Sequence, residues 1–443
     1  MLKRIFLCNF RRLLLSAIFF LSFLGQSKEN VLSTGKDVFE DLKELLVRVK
    51  SADSADSPKT SYGTGYVVHK EGIFATNYHV ISDSVMQPGN QWKIFVEKNN
   101  KETLEAELLT FSVVDDLAII RVKENFDRAL VISKNPPLKG ERTYSLGLPS
   151  DINMSLIEGV YNGLLEYGPY QLVHVTTPLN GGMSGGPTVN DHGQLIGTNV
   201  SRILFANDIS FIVPKSRLED LLSNLDIHKA ALTKDEAQKL LYSQLEAVQK
   251  KLVNDVLSGP TQKVELWKDI QIDVPKFLKC WADGKEEPEL PYVYKSRSCR
   301  LDHDIFMVNG LQSGTFDLSV EVLDASRINR FSVASILGDS FDAKKELGSY
   351  FGSRNFGDLD AREIFTSYDC KQGFVKSSFF KKPNELRFNY CIRKYKKAQD
   401  LYDISMQWFD FKNPLKTKVV INHSGVGLQE TQKLMAYWME RFK

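Results

Sequence analysis

Cysteine is nearly absent from the first three fifths of this 443-residue chain: after Cys8 none occurs until Cys280, followed by Cys299, Cys370 and Cys391. No C-x-x-C pair or histidine at ligand spacing accompanies them, so the usual zinc patterns have no support. In an oxidising compartment an even set of four suggests two disulfides, and of the three connectivities Cys280 with Cys299 and Cys370 with Cys391 closes the shortest loops. Charge imbalance is lacking as well. The formal net charge is +2, which leaves no electrostatic case for a nucleic-acid partner. The N-terminal apolar run, Leu13 to Gly25, falls short of the ~20 residues of a spanning helix, so no stable membrane anchor is expected. It follows Lys3, Arg4, Arg11 and Arg12, and residues 1–27 read as a secretory signal peptide with Gly25 and Ser27 as the small residues before the cut. Removing them takes the formal charge from +2 to −2.

The remaining length, about 415 residues, is too great for one core, so two domains are expected. From Tyr62 to Pro214 short runs of Val, Ile, Leu, Phe and Tyr are cut by Gly, Asn, Asp and Pro, the pattern of an all-β barrel or sandwich. "PKSRLEDLLSNLDIH" then changes to helical period, and residues 28–228 form the first domain. Residues 229–260 make a helical connector, opened by a capping-box pattern at Thr233 and Glu236 and closed by Gly259-Pro260. Residues 261–443 alternate strands with a final amphipathic helix, giving an accessory α+β domain. No internal repeat, nucleotide loop or metal motif is evident there, and its ligand is unassigned. No cofactor or metal is expected anywhere.

Four glycines surround a serine in "NGGMSGGP", and glycine clusters mark tight turns or close approaches. His79 follows the apolar strand "GIFATNYHVI", and in "SVVDDLAII" two adjacent carboxylates precede a buried-looking strand. Asp116 is expected to enter the interior and pair with a histidine N–H, leaving Asp115 solvated. The order His79, Asp116, Ser184 is that of one of the known serine-protease triads, with base, orienter and nucleophile in turn. Gly182 lets its own N–H and that of Ser184 converge on an oxyanion.

Together "GTGYVV", "GIFATNYHVI", "DDLAII", "YSLGLP", "GGMSGGPTVNDHGQLIGTN" and "ISFIVP" resemble the trypsin-like serine proteases, in particular the HtrA-type bacterial branch, over residues 60 to 218. The resemblance implies a mainly β, chymotrypsin-like double β-barrel with the site in the cleft between barrels. It also implies a protein or peptide substrate, and with the signal peptide the expectation is an exported enzyme, periplasmic or secreted, of bacterial source. The alternative is a catalytically silent protease-shaped binding protein acting through its second half. The pocket implied is lined by Pro178, Asn180, Asn199, Val200, Ser201, Asp208 and Ser210. Pro178 at its floor favours uncharged side chains, and Asp208 is expected to point outward. Met183 departs from the family's Asn or Asp, which argues against activation by a freed N-terminus. Tyr78 stands where Asn is common, and no PDZ-like segment follows. Asn199-Val200-Ser201 fits a glycosylation pattern that is read as chance.

Overall fold

The computed structural model describes residues 34–57, 60–89, 91–149, 153–165, 171–200, 210–267, 270–285, 292–301, 304–329, 331–333, 355–356, 359–377, 384–410 and 415–441. The signal-peptide reading, Ser201 and Asp208 lie outside them.

Two closed six-stranded barrels occupy the first half. The first contains β1 (Leu46–Ala52), β2 (Thr60–His69), β3 (Ile73–Thr76), β4 (Lys93–Glu97), β5 (Thr103–Ser112) and β6 (Leu117–Arg121), in the order β1-β2-β3-β6-β5-β4. The second contains β7 (Arg142–Gly147), β8 (Ser155–Leu164), β9 (Val173–Val175), β10 (Pro187–Val189), β11 (Leu195–Val200) and β12 (Ser210–Pro214), and repeats that order as β7-β8-β9-β12-β11-β10. This is the chymotrypsin-like double barrel. Closure leaves each barrel without free edges. Val49, Val67, Phe74, Val96, Leu117 and Ile119 are buried in the first barrel, whereas Val173, Val175, Ile196 and Ile212 form a small separate cluster in the second.

The helix Lys234–Ser258 opens with a complete capping box, Thr233 accepting from Glu236 N while the Glu236 side chain accepts from the Thr233 backbone. Its polar side chains bind on both sides. Gln244 accepts from Val113 N and donates to Phe111 O, both at 2.7 Å, in the first barrel. Gln249 bonds His423 at 3.0 Å in the second half. Buried Leu241, Leu245, Leu252 and Val256 belong to one core cluster that runs from the first barrel into the C-terminal sheet. The connector is therefore a packed bridge.

The second half begins with a two-stranded pair, β13 (Thr261–Trp267) and β14 (Ile270–Pro275). Its centre is a seven-stranded antiparallel sheet of β15 (Lys279–Lys285), β16 (Val293–Arg300), β19 (Phe316–Asp324), β22 (Asp369–Ser377), β23 (Asn384–Lys394), β24 (Tyr402–Asp410) and β25 (Leu415–Val426), ordered β15-β16-β19-β25-β24-β23-β22. A hairpin of β17 (Ile305–Val308) and β18 (Leu311–Ser313) and a minor pair, β20 (Asn355–Phe356) and β21 (Leu359–Asp360), stand outside it. The helix Leu428–Arg441 packs on the connector and the sheet and buries Leu434 and Trp438. Disulfides Cys280–Cys299 and Cys370–Cys391 each join an edge strand to its neighbour.

The sheet also corrects the reading that no repeat exists. The units β15-β16-β19 and β22-β23-β24 lie in palindromic order about β25, each with a disulfide across its first two strands. Their third strands read "FDLSVEVLD" and "YDISMQWFD". Arg300 lies opposite Asp317 in the first unit, as Arg393 lies opposite Asp403 in the second. The match is short and its spacing is broken, because the first unit carries the β17-β18 hairpin where the second has only a turn at Lys396–Asp400.

Candidate active site

Strand β3 runs into the helix Tyr78–Met86, whose first N–H groups need acceptors from outside the helix. The N-cap residue Asn77 does not supply one, since its amide donates instead to Asp116 O at 2.7 Å. Asp116 takes over the role. Its carbonyl accepts from Tyr78 N at 3.2 Å and its Oδ1 from His79 N at 2.8 Å. Its other oxygen, Oδ2, lies 2.6 Å from His79 Nδ1. A carboxylate at Nδ1 holds the proton there and leaves Nε2 as the basic nitrogen. Asp116 adopts φ 52°, a left-handed conformation that Asp tolerates better than most residues. Both side chains keep partial access to solvent, His79 at 18% and Asp116 at 17%. Asp115 turns away, accepting from Ser112 Oγ at 2.7 Å with Arg217 Nε at 3.5 Å.

Ser184 sits in the turn between β9 and β10. Gly182 and Gly185 have φ of 89° and 81°, a region that side chains rarely adopt. Gly185 is required by contact as well, since a Cβ there would lie 2.3 Å from Thr64 O and 2.4 Å from Thr76 Oγ1. The turn belongs to the second barrel yet is bonded to the first. Thr64 N donates to Ser184 O at 2.8 Å, and Thr64 Oγ1 donates to Gly182 O at 2.7 Å while accepting from Leu148 N. A Cβ on Gly63 would meet Val80, next to His79, at 2.6 Å and Ser184 O at 2.7 Å. Ser184 is 4% exposed. The structure thus draws the serine turn against the residues that lead into His79, with Thr64 between two glycines as the fastener. Sequence reasoning passed over Thr64, and "GTG" is the only signal that points to it.

The expected pocket residues divide. Pro178 and Asn180 are exposed, and Ser210 Oγ accepts from Leu179 N at 3.2 Å, tying the Pro178 segment to β12. Asn199 lines no pocket with its side chain, contrary to expectation. It is fully buried, donating to Leu146 O at 2.9 Å and accepting from Thr188 Oγ1. Val200 packs into the core cluster instead. Met183 is likewise fully buried, its Cα and Cβ against Gly147. An amide with three polar groups of the barrel within reach is held inside, which also leaves no room for a glycan on Asn199.

Residues 63–197 match the family model of the trypsin-like peptidase domain. Serine protease HTR4 of Rattus norvegicus is 30% identical over 197 residues, covering 42% of this chain and 38% of that one. Serine protease HTRA4 of Homo sapiens is 29% identical over 177 residues, 38% of this chain and 35% of that one. Over these residues the chain resembles a trypsin-like peptidase domain of HtrA type. A protein of Pseudomonas fulva titled "Probable periplasmic serine endoprotease DegP-like" is 27% identical over 174 residues, 37% of this chain and 35% of that one. Among solved structures, the active form of the Rv3671c protease from M. tuberculosis aligns at 19% identity with a TM-score of 0.39, covering 44% of this chain and 87% of that one. The chain spans less than two fifths of the length of these curated relatives. The family model spans β3 to β10, most of β2 and the start of β11, and stops before β12 and the disulfide-bearing half. Among the described residues no helix is long and apolar enough to cross a membrane, and no group of three His, Cys, Asp or Glu is placed to hold a metal.

Proposed function

We propose that the protein is an exported serine endopeptidase that uses His79 as base, Asp116 as orienter and Ser184 as nucleophile. The observation that carries this is the double grip of Asp116 on His79, at the backbone N and at ring Nδ1, beside a serine turn bonded to Thr64. In the reaction, Nε2 of His79 takes the hydroxyl proton as Ser184 Oγ attacks the substrate carbonyl carbon. The carbonyl oxygen becomes an oxyanion received by the N–H groups of Gly182 and Ser184, each donor contributing roughly 3 to 4 kcal/mol. His79 then returns the proton to the leaving amine, and water repeats the sequence on the acyl-enzyme. The positive φ at Gly182 supports the oxyanion turn. Neutral Pro178 on the exposed floor segment supports preference for an uncharged residue before the cut. Paired disulfides and the N-terminal signal pattern support export to the periplasm or beyond it.

The test is a fluorophosphonate probe on the purified chain. Labelling is expected at Ser184 and is expected to vanish in Ser184→Ala together with peptide cleavage, while the melting temperature stays within a few degrees. Wild-type protein that is folded but unlabelled, and remains so after proteolytic activation is attempted, would overturn the proposal.

A further inference from the structure

The β17-β18 hairpin is what distinguishes the first sheet unit from the second, and it leaves the sheet to reach the peptidase domain. "IFMV-NG-LQS" supplies two short strands around an Asn-Gly turn, a strong hairpin signal. Ile305, Met307, Val308 and Leu311 are buried in the core cluster, so the hairpin is wedged rather than dangling. Two of its consecutive residues meet two consecutive residues of the catalytic helix. Tyr78 Oη donates to Met307 O at 2.9 Å, and the Phe306 ring stands edge-on to the His79 imidazole, with centroids 6.0 Å apart and planes at 78°. Tyr78 is fully buried, with its ring 4.9 Å from that of Phe111. Burial raises its hydroxyl well above the ordinary tyrosine pKa, with nearby Tyr242, Asp116 and Asp83 adding to the effect, so it remains a donor.

Among the described residues the hydrogen bond to the imidazole is the one between Nδ1 and Asp116, and a single such bond leaves the plane of the ring to be set by packing. From the contacts above we infer that Phe306 is a positioning residue for His79, supplied by the C-terminal half, and that Tyr78 with Met307 anchors the hairpin that carries it. The active site of the peptidase domain is then incomplete without a strand pair from another domain. This inference rests on the serine-peptidase reading.

The experiment uses the full chain with Phe306→Ala and Phe306→Tyr. An edge-on aromatic contact is worth a few-fold in rate, so kcat and the rate of fluorophosphonate labelling should fall about 3- to 10-fold in Phe306→Ala. KM should stay within about twofold, because an interaction realised in the transition state moves kcat rather than ground-state binding. Phe306→Tyr keeps the ring and should restore both rates. An independent readout is the nuclear Overhauser effect between the Phe306 and His79 ring protons in Ser184→Ala protein, with the His79 signals identified by their loss in His79→Gln. It does not require Phe306→Ala to fold. Wild-type kcat in Phe306→Ala, a change confined to KM, or absence of the ring contact would each overturn the inference. If the wild-type chain failed to label while the ring contact was present, the peptidase reading itself would fall, and the two failures are thereby distinguished.

Discussion

Asp116 makes two kinds of contact. One oxygen lies against the imidazole Nδ1, and the other, with its backbone carbonyl, caps the first turn of the helix Tyr78–Met86. Asp116→Asn preserves shape and left-handed tolerance but can leave His79 in the wrong tautomer, so kcat should fall about ten-thousand-fold with near-native stability. Asp116→Ala removes the cap as well and should cost a further ~0.5 to 2 kcal/mol of unfolding free energy, read by urea titration. Gly185→Ala should be more severe than either for folding. It demands a strained φ and places a methyl 2.3 Å from a backbone oxygen, so a loss exceeding ~1 kcal/mol is expected together with loss of labelling. The Asp116–His79 pairing and the tight turn around Ser184 were partly legible, because adjacent carboxylates, a histidine after a strand and a glycine-ringed serine each have a chemical reason. Asn199 was misread because sequence shows where a residue lies along a strand but not which polar groups surround it. Phe306 was invisible for a related reason: "DIFMVNG" reads as an ordinary strand, and nothing local reveals that its ring meets His79, more than two hundred residues earlier in the chain.

At the scale of elements, β25 and β19 hold titratable groups in unequal settings. His423 on β25 is fully buried against Phe316 and bonded to Gln249, and burial pushes its pKa down from 6.5 to about 3. The unfolded chain then binds a proton that the folded chain refuses. Stability is complete above pH 6.5 and falls toward pH 3, by up to ~1.4 kcal/mol per unit. Asp317 on β19 acts oppositely. Its burial, only partly offset by Arg300, raises it from 3.8 to about 6, so its share of stability increases as pH falls from 6 to 4 and is lost on the way back up. Denaturation curves of His423→Gln and Asp317→Asn across pH 3.5 to 7 should therefore differ from wild type in opposite senses, the first flattening the acid-side loss and the second removing the acid-side gain. The long helix was predicted by its period and capping box, yet its bonds from Gln244 to the first barrel and from Gln249 to the C-terminal sheet follow only from the packed arrangement.

For the whole molecule, the barrels and the C-terminal sheet solve the edge problem differently. Barrels close, whereas the open sheet has each edge strand joined covalently to its neighbour. Closing loops with sequence separations of 19 and 21 contributes roughly 3 kcal/mol per disulfide in the chain-entropy account. Reductant should raise hydrogen exchange first in β15 and β22, with β1 to β12 unaffected, and mass spectrometry of the peptides checks the order. Both linkages also stay within their own halves of the sheet. No covalent bond other than the main chain connects β15, β16 and β19 with β22 to β25 among the described residues. A single peptide-bond cut between Asp324 and Asp369 would thus leave two fragments held by the β19-β25 register, from Phe316 opposite His423 to Asp324 opposite Leu415, and by packing on the connector. The nicked protein would migrate as one particle under native conditions and come apart in denaturant without any reducing agent, because the covalent link between the two halves of the sheet is one unbridged segment of main chain.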